Sequence, residues 1–221
     1  MTAILIPALN AAQTIGVLLD RIRAQGGRER VIVVDDGSGD DTSEIAREKG
    51  AIVLRHDKNK GKGAALKTGF HHVLSSSECD AVLTMDADLQ HDPVEIPNFV
   101  AERSRSDADF VIGYRRRMGS GMPFHRILSN SITSALVSAK TGVEVRDSQS
   151  GYRLITRRVL TSIDVESDGY EAETEMLIKV ARKGFRFGFV PIATTYAGAG
   201  SHMTHWRTTY QFLRVLLREY E

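Results

Sequence analysis

Short apolar runs recur along the first half of this chain, with helix-length stretches between them. That alternation restricts the fold more than any other feature. The runs are "AILIP" (3–7), "VIVVDD" (31–36), "AIVLR" (51–55), "AVLTMD" (81–86) and "DFVIGY" (109–114). Each is short and continuously apolar, the pattern of a strand buried on both faces of a parallel sheet. Helix-like spacing fills roughly 12–25, 41–49, 61–75 and 93–105. Asp92 before Pro93 reads as the N-cap and first residue of the last of these. Such βα alternation predicts a doubly wound, mostly parallel α/β sheet flanked by helices, with right-handed crossovers.

After residue 115 the alternation weakens. "RRRMGSGMP" (115–123) reads as a basic, Gly-rich loop. It is followed by a helix at about 124–141, the segment "DSQSGYRLI" (147–155), a helix near 170–184, the strand "RFGFVPI" (186–192) and an amphipathic stretch at 205–220. A length of 221 residues suits one domain, residues 1–221. Its first part, about 1–114, looks like a nucleotide-binding layer, and about 115–221 reads as additions on an acceptor side. A net charge of +1 gives no bulk attraction for nucleic acid. The single cysteine, Cys79, excludes an internal disulfide and fits core packing in a reducing compartment. No apolar run approaches the ~20 residues of a membrane span, and "MTAILIPALN" lacks the basic segment and long apolar core of a signal peptide. The expected location is therefore cytoplasmic, with any membrane contact peripheral on the cytoplasmic face.

Open α/β sheets bind ligands beyond the carboxyl ends of their strands. Here those ends carry "PALN", "DDGSGDDT" and "DADLQ". In "DADLQ", Asp86, Asp88 and Gln90 are two apart, so on an extended segment they share a face. Hard oxygen donors of this kind suit Mg²⁺ or Mn²⁺ bound together with substrate phosphates; a solvated acidic loop is the plain alternative. Asp40 or Asp41 can cap the next helix. "NKGKGAALKTGF" (59–70) offers lysines and glycines before a helix, suited to an anion, yet it does not match the G-x-x-x-x-G-K-[ST] phosphate loop. Arg115–Arg117, with Arg126 across the loop, can either face solvent or clamp a phosphate. In "YEAETEM", Glu171 and Glu175 share a helix face and Glu173 lies opposite; a solvated helix start stabilised by its dipole accounts for them.

Taken together and in order, "IPALN", "VVDDGSGDDT", "NKGKGAALKTGF", "MDADLQHDP", "GYR", "HRILSN", "DSQSGYR", "YEAETEM", "VPI" and the closing "GSHM" resemble family-2 glycosyltransferases of the GT-A fold, in the dolichol-phosphate or polyprenyl-phosphate mannose synthase branch. The resemblance implies a metal-dependent, inverting transfer of mannose from GDP-mannose to a polyprenyl phosphate. It implies Pro7, Ala8, Asn10, Asp36, Lys62, Gly63, Asp86, Arg153 and Arg207 around the nucleotide-sugar, with Asp36 reading the base. Asp86, Asp88 and Gln90 would hold Mg²⁺ or Mn²⁺. Arg115, Arg126 and Ser129 would receive the acceptor phosphate, making Asp88, Arg115 and Arg126 the catalytic set. "SGYR" would shape the donor-sugar side, and Ser201, His202 and Arg207 would close on the diphosphate.

One departure stands out: Ala11 and Ala12 follow Asn10, where the family usually carries an acidic residue that contacts the ribose. The nearest rival is a UDP-sugar donor such as UDP-glucose, with a lipid phosphate or a soluble acceptor. A sugar-phosphate nucleotidyltransferase would begin with a Gly-rich activating loop, whereas the first glycine here is Gly16. A binding module leaves "DADLQ" without a purpose. Helix 124–141 (Ile127, Leu128, Ile132, Leu136, Val137) and the closing stretch (Trp206, Tyr210, Leu213, Leu217) carry apolar stripes suited to a membrane surface, a membrane subunit, the core or an oligomer contact.

Overall fold

The computed structural model describes residues 1–26, 29–115, 124–193 and 205–220, without the side chains of 124–126 and 205–208. Among the described residues seven strands form a single sheet: β1 (Thr2–Ala8), β2 (Arg30–Asp35), β3 (Ile52–Arg55), β4 (Ala81–Thr84), β5 (Phe110–Arg115), β6 (Arg153–Thr156) and β7 (Phe187–Ile192). Their order is β3-β2-β1-β4-β6-β5-β7. All pairings are parallel except those of β6, which runs antiparallel to both β4 and β5.

Alternate residues of each central strand enter opposite cores. Ala3, Leu5, Ile32, Val34 and Ile112 pack with α3 (Lys62–Leu74), α5 (Phe124–Thr141), α7 (Ala172–Arg182) and α8 (His205–Leu217). Ile4, Ile6, Val33, Leu83 and Val111 pack on the other face with α1 (Ile15–Ala24), α2 (Thr42–Glu48) and α4 (Ile96–Ser106). Both faces being covered explains why the strands read as unbroken apolar runs rather than alternating ones. Cys79 is buried in the first core, as its sequence context predicts. Asp92 caps a short 3-10 turn, Pro93–Glu95, by accepting from the Val94 N–H at 3.1 Å.

Two elements lie outside the sequence expectation: β6 and the short helix α6 (Arg157–Ser162) that follows it, capped by the Thr156 hydroxyl. The chain is thus one α/β domain with a mostly parallel sheet between two helical layers. The carboxyl ends of β1, β2, β4 and β5 and the start of β6 meet along one rim, and the polar motifs meet there too.

Candidate functional site

The first two rim loops are tied together by backbone geometry. Asn10 takes a left-handed conformation (φ 51°), and its amide oxygen accepts from the Gly39 N–H at 2.9 Å. The Asn10 N–H donates to Ser38 Oγ, Ala11 N–H to Thr42 Oγ1 and Ala12 N–H to Asp40 Oδ2. Asp40, rather than Asp41, accepts from the Thr42 N–H at the start of α2. Pro7 and Ala8 end β1, and the Ala8 carbonyl accepts from the Asp36 N–H at 2.8 Å. Ala11 is buried in the core beneath, which accounts for an apolar residue there.

The two acids of "DDGS" serve different purposes. Asp35 is enclosed, accepting from the Ser38 N–H and Ser43 hydroxyl; burial opposes its charge, but these bonds hold its carboxyl below the usual range. Asp36 accepts at Oδ1 from His56 Nδ1 (2.6 Å) and the Lys60 N–H (2.9 Å), and at Oδ2 from the Gly61 N–H (2.7 Å). His56 Nε2 in turn lies 2.9 Å from Thr68 Oγ1 on α3.

The anion that the turn before α3 meets in this structure is the Asp36 carboxylate, bound by the Lys60 and Gly61 N–H groups. The Ala64 N–H already donates to the Asp168 carbonyl at 3.0 Å. A Cβ on Gly63 would lie 2.6 Å from both Ala172 Cβ and the Ser167 carbonyl, so this glycine lets α3 approach the 167–172 segment. Gly63 is therefore a spacer between these two segments. Glu175, fully buried, accepts from the Glu166 and Ser167 N–H groups and pairs with Lys179. The solvated-helix account of "YEAETEM" is corrected, because Glu173 is buried too and faces Lys62.

Lys62 sits between Asp86 Oδ1 (2.6 Å) and Glu173 Oε1 (3.0 Å). Burial penalises the Asp86 charge, yet the ammonium beside it keeps the pKa down at about 2. β4 ends at Thr84, so "DADLQ" is a turn rather than an extended face: Leu89 has φ 63°, and Asp88 accepts from the Gln90 N–H at 3.0 Å. What brings the acids together is this turn, not strand alternation. Surrounding protein and the Asp86 charge raise the pKa of Asp88, although one side of that residue is open to solvent. His91 packs beneath, stacked on Tyr152, with Nδ1 3.4 Å from the Asp86 N–H. Gly151 completes the wall: a Cβ there would lie 2.7 Å from Asp86 Oδ2 and 2.9 Å from Lys62 Nζ.

Arg115 is held by a buried carboxylate. Its Nε and Nη2 donate to the two oxygens of Asp147 at 2.7 and 2.9 Å. Burial disfavours the Asp147 charge, but the Arg115 guanidinium, with the Arg115 N–H, keeps its pKa below the ordinary range. The expectation for Arg153 is corrected. It is 1% exposed, and its guanidinium donates to the carbonyls of Ser148, Ser150 and Glu173. It braces the rim from inside and does not face the open site. Ser129 lies on the exposed side of α5. The side chains of Arg126 and Arg207, and all of Ser201 and His202, lie outside the described residues.

Residues 3–163 match the model of glycosyl transferase family 2. The chain belongs to this family. Among curated relatives of this glycosyltransferase, an undecaprenyl-phosphate mannosyltransferase of Micrococcus luteus is 33% identical, over 85% of the chain and 81% of the relative. A UDP-N-acetylglucosamine–dolichyl-phosphate N-acetylglucosaminyltransferase of Methanococcus voltae is 28% identical, over 87% and 85%. Glucosyl-3-phosphoglycerate synthase of Mycobacterium tuberculosis, solved with UDP, shares the fold with a TM-score of 0.79 at 24% identity, covering 98% of this chain and 79% of that one.

The oxygen donors of the acidic turn are of the kind a hard divalent ion takes. Two carboxylates crowd this turn, and the Lys62 ammonium offsets the charge of Asp86 alone. Among the described residues no third His, Cys, Asp or Glu joins them. An ion here would therefore complete its shell with the Gln90 amide, waters and donor phosphates, as Mg²⁺ commonly does. His56, Thr68 and Asp147 are the site residues that sequence reasoning passed over. Asp147 and His56 stand inside or beside quoted motifs, but nothing in their spacing signals their partners.

Proposed function

We propose that this hexosyltransferase moves a sugar from a nucleoside-diphosphate sugar to the phosphate of a polyprenyl phosphate, with inversion and with Mg²⁺ or Mn²⁺ held by Asp86, Asp88 and Gln90. The observation that supports it most is the acidic turn, with Lys62 inside it, on the same rim as the Arg115–Asp147 pair. The nucleotide lies along Pro7, Ala8, Asn10 and Asp36. The acceptor phosphate meets Arg115, Arg126 and Ser129.

A phosphate monoester, with its second pKa near ~6, is already ionised at neutral pH. It needs alignment more than a general base, so arginines suffice. An acceptor oxygen attacks the anomeric carbon in line. The bond from that carbon to the diphosphate breaks, and its electron pair leaves with the nucleoside diphosphate. The divalent ion, when bound, neutralises charge developing on that leaving group. Lys62 adds a second cation, and buried Asp147 holds the Arg115 fork in one orientation.

The resemblance favours GDP-mannose as donor, with UDP-glucose as the alternative. The two differ at the sugar and at the base that meets Asp36. The exposed stripes of α5 and α8 suit the surface of a membrane holding the lipid acceptor; no helix among the described residues is long and apolar enough to cross it. Transfer of labelled sugar to a polyprenyl phosphate tests the reading. Asp88→Ala should lower the rate about 10²–10³-fold, the scale of losing one electrostatic stabiliser, and chelator should stop wild-type transfer. A near-normal rate in chelator defeats the metal assignment. Arg126→Ala should chiefly raise the acceptor KM; a loss confined to the donor refutes the acceptor reading.

A further inference from the structure

Against the GDP-mannose that the resemblance implies, we infer that the donor base is uracil rather than guanine, and that His56 is a residue that selects it. The inference rests on the reading, given above, that Asp36 meets the base. A carboxylate has about four lone-pair positions, two on each oxygen. At Asp36 three are taken: His56 Nδ1 and the Lys60 N–H fill Oδ1, and the Gly61 N–H takes half of Oδ2. One position is left, and it lies on one oxygen only. The residue is 4% exposed, which matches a single point of approach.

Nucleobases differ in what they ask of such a group. Uracil presents one imide N–H flanked by two carbonyls, so a single acceptor satisfies it. Guanine presents an imide N–H and an adjacent amino group, a pair of donors that calls for both oxygens of a carboxylate side by side. With Oδ1 filled, guanine keeps one of those two bonds and leaves a donor facing an occupied oxygen. Cytosine has a ring-nitrogen acceptor in place of the imide donor and would set lone pair against lone pair.

His56 is not free to turn aside for guanine. Its Nδ1 faces an acceptor-only group, so the proton sits there, and its Nε2 is anchored at 2.9 Å to Thr68 Oγ1 within α3. Both His56 and Asp36 are buried, and the two amides that share the carboxylate belong to the backbone turn leading into α3. The occupied oxygen is thus fixed from the side chain and from the main chain at once.

Titration calorimetry on the full chain, with UDP, GDP, CDP and 3-methyl-UDP at one fixed Mg²⁺ concentration, isolates the base because phosphates and ion are held constant. UDP should bind roughly tenfold or more tighter than GDP, the scale of one unmet buried donor, and CDP should be weaker than UDP. His56→Phe, which keeps a ring but removes its N–H, should bring the UDP and GDP affinities together. Thr68→Val, which only loosens the ring, should shift the ratio the same way by less. Wild-type preference for GDP, or an unchanged ratio in His56→Phe of wild-type melting temperature, overturns the inference. The underlying reading fails in a different way: 3-methyl-UDP, which lacks the imide proton, would bind as tightly as UDP.

Discussion

Lys62 shows how much one side chain decides at this rim. Its ammonium lies between two largely buried carboxylates, and removing one member of such a set leaves uncompensated charge. Lys62→Met should cost about 3 kcal/mol of stability, read from denaturant midpoints. Mg²⁺ should raise the melting temperature of that variant more than that of wild type, because the ion replaces the lost cation; an equal rise in both refutes the idea. Acid has a related effect elsewhere. Asp35, Asp147 and Glu175 have folded pKa values below the ordinary carboxylate range, in each case because hydrogen bonds and cations outweigh burial. A depressed carboxylate stabilises the fold fully above its unfolded pKa, near ~4. That contribution is lost as pH falls through the folded value. These three carboxylates should therefore steepen the fall of urea midpoints below pH ~4, and Asp147→Asn should flatten part of that decline. Asp92 was legible as a cap, since a polar residue before proline is a local signal, whereas the turn that draws Asp86 and Asp88 together was not, because their spacing alone sets the two acids on an extended face. His56 was not, because its meaning lies in contacts with Asp36 and Thr68, 20 and 12 residues away. Arg153 misleads for the opposite reason: an arginine in a polar motif suggests a ligand, and only the fold shows its donors turned onto three carbonyls.

At the scale of elements, the close approach of α3 to the 167–172 segment sets where Lys62 stands. Gly63→Ala would place a methyl group 2.6 Å from Ala172 Cβ and from a backbone carbonyl. The helices must part, at a cost of about 1–3 kcal/mol, and the donor KM should rise as Lys62 shifts from Asp86. Chemical denaturation and steady-state kinetics check both; an unaltered KM in a destabilised variant separates packing from positioning. The parallel strands and the helices of the first half were legible because burial on both faces imprints a local pattern. β6 was not. Its four residues, "RLIT", begin with an arginine, and its place in the sheet comes only from long-range pairing with β4 and β5.

For the molecule as a whole, the two exposed stripes lie on neighbouring helices. On α5, Leu128 and Ile132 are each 51% exposed and Leu136 follows one turn later; on α8, Tyr210 is 70% and Leu217 77% exposed, with Leu213 between them. In a membrane-surface role, Leu128→Ser with Ile132→Ser and Leu217→Ser should reduce co-sedimentation with anionic vesicles several-fold while leaving nucleotide affinity unchanged. Undiminished sedimentation would turn attention to a protein partner. The sheet order carries a further consequence, for how the molecule comes into being. β6 is synthesised after β5 yet lies between β4 and β5. Until residues 153–156 leave the ribosome, β4 and β5 each present a bare edge toward the gap that β6 will fill, for a few seconds at ordinary rates of elongation. Gly151, which walls in Asp86 and Lys62, arrives with that strand. The Gly151 wall of the acidic turn is therefore raised by the same event that joins β4 to β5, whereas Glu173, the second carboxylate on Lys62, and β7, which covers the other edge of β5, are made later.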